Sequence, residues 1–225
     1  MAELRVREDL VAAQVDAWSH VTSPGSSWSG GERAAIAAVA LAALDDTDPL
    51  PPWMAPTAAG RAMPGREALP DVVIDAVYRI AVHAATLTDD WYRSVLDRGV
   101  DPVAYVEMVG IVVAVAAVDG FYRAVGLPRP ALPTALAGAP SGDRPPVEPA
   151  TLNWVLVATP ADRTAAVVQG LSAAPAEWDN VARLHAAQYI PVDEMGELGW
   201  SRGTLTRPEM ELVAARLSAA RECFF

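Results

Sequence analysis

The stretch from Asp101 to Gly126, DPVAYVEMVGIVVAVAAVDGFYRAVG, constrains this chain more than any other. Asp101 caps a helix, Pro102 occupies its first turn, and Gly126 followed by Pro128 ends it. Between those signals runs one long apolar helix with a single acid, Glu107, in its first half. A segment this apolar must be covered by the rest of the chain, so the other elements are expected to wrap it.

Alanine, leucine, valine and arginine recur at three- and four-residue spacing almost throughout, and alternating strand patterns are scarce, so the class is all-α. A first helix is predicted from about Ala2 to Trp18, ending in the turn formers VTSPGSSWSGG. Ser29 with Glu32 forms a capping box for a second helix to about Leu44. A third is expected from Pro70 and Asp71 through Ala85, and a short fourth capped by Thr88 and closed by Gly99. Beyond the central helix, Pro160 and Pro175 each open a short helix, and Thr206 with Glu209 caps the last, which carries Cys223. Seven prolines between Leu127 and Ala150 predict an extended surface linker. The expected division is a helical unit over 1–126, a linker over 127–150 and a second helical unit over 151–225 that packs on the first.

Composition narrows the function classes. The chain carries 28 acids against 17 bases and a net charge of −11, and every base is an arginine. Such a surface repels phosphate backbones and anionic lipid, which argues against nucleic-acid and membrane partners. With one cysteine there is no internal disulfide and no cysteine metal cluster. The N-terminus lacks the apolar core of a signal peptide, and the run from Met108 to Val118 is shorter than the roughly 20 residues that cross a bilayer. A soluble, cytoplasmic protein is the expectation.

Three helices share a pattern of small buried residues with an early acid: ERAAIAAVALAALDD from Glu32, YVEMVGIVVAVAAVDGFY from Tyr105 and EMELVAARLSAARECFF from Glu209. In the last, Glu211 is followed by eleven residues and then Cys223. That spacing resembles the motif of the alkylhydroperoxidase and carboxymuconolactone decarboxylase-like family, which reads Glu, eleven residues, Cys-x-x-Cys, three residues, His. The segments LTDDWYRSVLDRGVDPVAYVEMVGIVVAVAAVDGFYRAVGLPRPALP and RLHAAQYIP are similar to its two-unit, peroxidase-related branch. The resemblance implies an all-α domain of alkylhydroperoxidase-like type built from degenerate helical repeats, and a homodimer.

The motif itself has decayed. Aligned on the first helix, the glutamate falls on Ala34, the cysteines on Asp46 and Pro49, and the histidine on Trp53. In the central helix the glutamate is Glu107, the cysteines fall on Asp119 and Tyr122, and the histidine on Gly126. A thiol peroxidase cycle needs a second thiol to resolve the oxidised one, so two-cysteine peroxidase activity is excluded within one chain.

The surviving chemistry points to the central helix. Glu107, Ile111, Ala114, Val118 and Tyr122 fall along one stripe, although Glu107 and Tyr122 stand about 22 Å apart at 1.5 Å per residue. Burial of Glu107 would raise its pKa toward general acid or base values, or else it is a structural acid paired to a neighbour. Asp119 and Tyr122 are candidate catalytic partners, although Asp119 and Arg123 at i and i+4 also form an ordinary helix salt bridge. His83 is a candidate proton shuttle, with Tyr78, Trp53, Trp91 and Arg123 as candidate substrate contacts; Trp53 and Trp91 are expected to wall an apolar cavity. His20 is expected to favour the C-terminal dipole of the first helix, and His185 with Tyr189 to share a face. No metal or cofactor pattern is present. The leading expectation is a cofactor-free acid/base enzyme acting on an apolar small metabolite by decarboxylation, isomerisation, elimination or cyclisation. The alternatives are a catalytically silent ligand-binding or structural protein, and a one-cysteine peroxidase.

Overall fold

A computed structural model describes residues 5–46, 51, 53–159, 166–220 and 222–223. Helix α1 spans Glu8–His20 and α2 Gly30–Asp45; α3 covers Asp71–His83 and runs into a 3-10 turn at Ala84–Thr86, and α4 is Asp89–Asp97. The long helix α5, Pro102–Val125, precedes a two-stranded antiparallel hairpin of β1 (Val147–Pro149) and β2 (Leu156–Ala158). A single helical turn, α6 (Ala166–Gln169), leads to α7 (Pro175–Gln188) and α8 (Arg207–Ala220). The chain is predominantly helical, as its periodicity predicts.

The caps act as their residue types require. Asp101 accepts from the Val103 and Ala104 amides at 2.9 and 3.0 Å, and Gly126 takes the left-handed conformation at φ +69°. Ser29 and Glu32 form both halves of the capping box, and Thr88 accepts from the Trp91 amide at 3.2 Å. These caps set where α2 and α5 begin, and therefore which turns of the two helices face each other.

Helix α5 is the axis of the fold. Met108, Ile111, Ala114, Val115 and Val118 have no appreciable exposure, covered by α2 and α3 on one side and by α1 and α7 on the other. The whole helix, 24 residues long, is apolar and long enough to cross a membrane, which corrects the estimate made from its uninterrupted apolar run. Its most apolar window is 72% buried inside the domain, as in a core helix.

Three expectations need correction. Residues 5–7 precede α1 rather than belong to it, Arg7 standing at its N-cap in the extended conformation. The helix expected at Pro160 starts outside the described residues, which resume at Ala166 with α6. The proline-rich segment is no free linker. Its Leu136 amide donates to the Thr22 carbonyl, and Ser141 and Gly142 donate to Gly25 and Ser26, while the Trp18 indole donates to Ala131. Without a helix of their own, these backbone groups find partners in the 22–26 loop, so the segment is a strap. Finally, α8 is not a buried counterpart of α2 and α5. Only Met210 is buried on it, Leu212, Val213 and Leu217 are exposed, and Cys223 lies beyond its end.

Candidate functional site

The first turns of α5 and α2 and the start of α7 bring two carboxylates onto one guanidinium. Arg33 Nη1 lies 2.7 Å from Glu107 Oε1 and 2.7 Å from Glu177 Oε1, with all three side chains at most 2% exposed. Two glycines make the approach possible. A Cβ on Gly25 would stand 1.9 Å from Glu107 Oε1 and 2.6 Å from Arg33 Nη1, and one on Gly110 would stand 2.5 Å from Glu177 Cβ. Only a residue without a side chain fits at either position.

The two acids differ in what remains open on them. Glu107 Oε2 accepts from the Ser26 hydroxyl at 2.8 Å and the Ser27 amide at 2.7 Å, so both of its oxygens are engaged. Arg33 Nη2 in turn donates to the His20 carbonyl at 3.0 Å. Glu177 Oε1 also meets His20 Nε2 at 2.9 Å, whereas its Oε2, fully buried, has no partner. Burial pushes the Glu177 carboxyl up, but the His20 hydrogen bond and the Arg33 charge outweigh it and hold it below the ordinary value. Because an ionised carboxylate only accepts, His20 presents a protonated Nε2 to it.

These groups open onto a cavity of about 460 Å³. Its polar lining comes from His20, Ser26, Glu107 and Glu177 and from Ser141, Asp143 and Arg144 of the strap, and Gly25 with prolines and alanines from the 22–26 loop, the strap and the start of α7 supplies the rest. Such a volume suits a small metabolite.

The far end of α5 faces a different space. A cavity of about 880 Å³ is lined by Leu44, Ala81, Val82, Ala117 and Gly120, with Asp46, Asp119 and Arg123 as its charged members. Asp119 is engaged by Arg123 at 2.6 Å and Arg129 at 2.5 Å, and Asp45 meets the same two arginines at 2.5 and 3.0 Å. Two acids against two bases leave no net charge there. Asp119 and Arg123 thus form the helix salt bridge their spacing allows, extended into a four-residue network.

The sequence-predicted residues are therefore dispersed. Glu107 lines the smaller cavity, and Asp119 with Arg123 the larger. Tyr122 is half-buried against the core and edge-on to Phe121, with ring centres 5.2 Å apart, so it shares no groove with Glu107. His83 pairs with Glu222 at 2.9 Å and lines neither cavity. Tyr78 donates to Asp46 at 2.6 Å, beneath Arg61. Trp53 is 83% exposed and lines neither cavity. Trp91 is half-buried, stacked edge-on to Tyr105 and covered by Arg79, again away from both cavities. Glu211 is exposed on α8 and pairs with Arg207.

Arg33, Glu177 and His20 are the members of the cluster that sequence reading misses. Glu177 sits where a helix ordinarily carries a solvent-facing first-turn acid, and His20 where one carries a last-turn cation, so both pass as capping residues. The available signal is their apolar setting, Ala174 and Pro175 before Glu177 and Ala17 and Trp18 before His20. No protein-family model, curated protein or solved structure matches the chain.

Proposed function

We propose that this protein is a cofactor-free acid/base enzyme acting on a small metabolite in the 460 Å³ cavity, with His20 and Glu177 as its proton-handling pair. In this reading the chain is a divergent, cytoplasmic, homodimeric member of the alkylhydroperoxidase-like group that has lost the redox cysteine pair. The observation that carries it is the asymmetry of the two buried acids: Glu107 is hydrogen-bonded on both oxygens, and Glu177 keeps an open one. Arg33, itself placed by Glu107, then acts as a positioning residue that holds Glu177 ionised. Glu177 orients the imidazole, and His20 Nδ1 removes a proton from an acidic carbon or hydroxyl and returns it elsewhere on the same molecule. Proton shuttling of this kind serves isomerisation, elimination or decarboxylation without a bound electron sink.

The test is a screen of small keto acids, hydroxy acids and enols for turnover or solvent-deuterium incorporation, run on wild type, Glu177→Gln and His20→Gln. Rates are expected to fall by about 10²–10⁴ in both variants. Turnover unchanged in Glu177→Gln removes the pair from the chemistry.

One observation favours a catalytically silent, ligand-binding reading instead. Glu107 is so completely satisfied by Arg33, Ser26 and Ser27 that it serves equally as a keystone between α2, α5 and their loop. The same screen separates the two readings, since a silent protein binds without turnover.

A further inference from the structure

The cavity at the far end of α5 has no part in the proton chemistry assigned to the smaller one, and its walls specify a ligand of their own. Its volume of about 880 Å³ is bounded by six helices, with Leu10 from α1, Leu44 from α2, Val82 from α3, Phe121 from α5, Gln188 from α7 and Leu217 from α8. A concave, mostly apolar space of this size is what small-molecule sites offer.

The two glycines within α5 differ in what they admit. Gly110 packs against Glu177, where a Cβ would collide. Gly120 lines the larger cavity, has no positive φ, and a Cβ on it would meet no described atom within 4 Å. Neither backbone conformation nor packing among the described residues requires glycine there, and glycine inside a helix costs stability relative to alanine. What the missing side chain provides is depth, a place where a foreign molecule reaches the backbone of α5.

The charges on the lining narrow the class of that molecule. Asp119 is held by Arg123 and Arg129, and Asp46 accepts from the Tyr78 hydroxyl at 2.6 Å and pairs with Arg61 at 2.5 Å. Each charged side chain on the lining is therefore answered by an opposite charge within the chain. An ionic ligand would surrender its hydration here without finding a counter-charge that is not already committed. We propose that this cavity is a second binding site, which takes a neutral, mainly apolar small molecule: an aromatic or alicyclic body seated over Gly120 and carrying a hydroxyl or carbonyl group at most.

Three probes on one ring body isolate the charge: naphthalenemethanol, naphthylmethylammonium and naphthoate. Each is titrated into the intact protein at about pH 7.5, where the amine is protonated and the acid ionised, and binding is followed by calorimetry and by methyl NMR. The cationic probe also controls for the general attraction of an acidic protein for cations. Naphthalenemethanol is expected to bind about tenfold or more tighter than either ion and to shift the methyl signals of Leu44, Val82 and Ala117. In Gly120→Leu, which fills the space from its floor, affinity falls about tenfold or more while the melting temperature is no lower than that of wild type. Gly31→Leu, where a Cβ equally meets no described atom but which lies outside the cavity, binds as wild type does. If Gly120→Leu does not fold, the map of shifted methyls in wild type carries the test. Absence of naphthalenemethanol binding, an ion bound as tightly, shifts confined to residues outside this cavity, or affinity unchanged in folded Gly120→Leu overturns the proposal. So does a dimer that excludes the probe and dissociates in Gly120→Leu, since a second copy then covers the space.

Discussion

The two ends of α5 each carry an acid bound to arginine, and they differ in every respect that matters for chemistry. At the start, Glu107 is 1% exposed, shares one buried guanidinium with Glu177, and belongs to a cluster in which one buried carboxylate oxygen has no partner. At the end, Asp119 is answered by two arginines that are 55% and 24% exposed and that also hold Asp45, so charge is balanced and each arginine has water to fall back on. Solvent screens the second network and makes it replaceable. The first is cut off from solvent, so its geometry is costly to disturb.

That contrast breaks most visibly on removal of an arginine. Arg33→Met leaves two buried carboxylates without a cation and is expected to destabilise the fold by about 3–5 kcal/mol in urea unfolding. Arg129→Met, at the other end, is expected to cost no more than about 1 kcal/mol, because Arg123 still holds Asp119 and Asp45. Equal losses would mean the two networks are alike.

Acid sharpens the comparison. The folded Glu177 carboxyl lies below its ordinary value of 4.5, so ionisation of Glu177 stabilises the native state. That contribution is complete above pH 4.5 and drains away as pH falls through the folded value. Unfolding free energies measured across this window should fall more steeply with acid in wild type than in Glu177→Gln. Parallel curves would show that Glu177 gains nothing from its cluster. The smallest effect belongs to Asp119→Asn, where the two arginines turn to solvent and Asp45. A loss of about 1 kcal/mol or less is expected in thermal melts, with cavity chemistry unaffected.

How much of this is legible in the sequence follows from the range of the interactions. Asp101, Pro102 and Gly126 bound α5 correctly, and Ser29 with Glu32 starts α2, because caps are local hydrogen bonds encoded within four residues. Glu107 stands out for the same reason, an acid alone in an apolar run. Its partners are hidden because Arg33 and Glu177 are 74 and 144 positions from their contacts, and each looks ordinary on its own helix. Tyr122 fails for a related reason. Helical phase puts it on the Glu107 stripe, but the cavity at that end of α5 is lined by Ala117, Gly120 and Arg123 on another face of the helix, without Tyr122. Trp53 shows the opposite error, in which a large aromatic is taken for a wall although its side chain is 83% exposed. The strap's role is equally invisible, since proline content predicts extension and says nothing of the 22–26 loop that accepts its hydrogen bonds.

The most direct test of the difference between the two ends of α5 sets Glu177→Gln beside Asp119→Asn, both checked for folding, on a compound that wild type turns over. The expected result is a loss of about 10²-fold or more in Glu177→Gln and a rate within about twofold of wild type in Asp119→Asn. The opposite pattern would place the chemistry in the larger cavity and contradict the assignment.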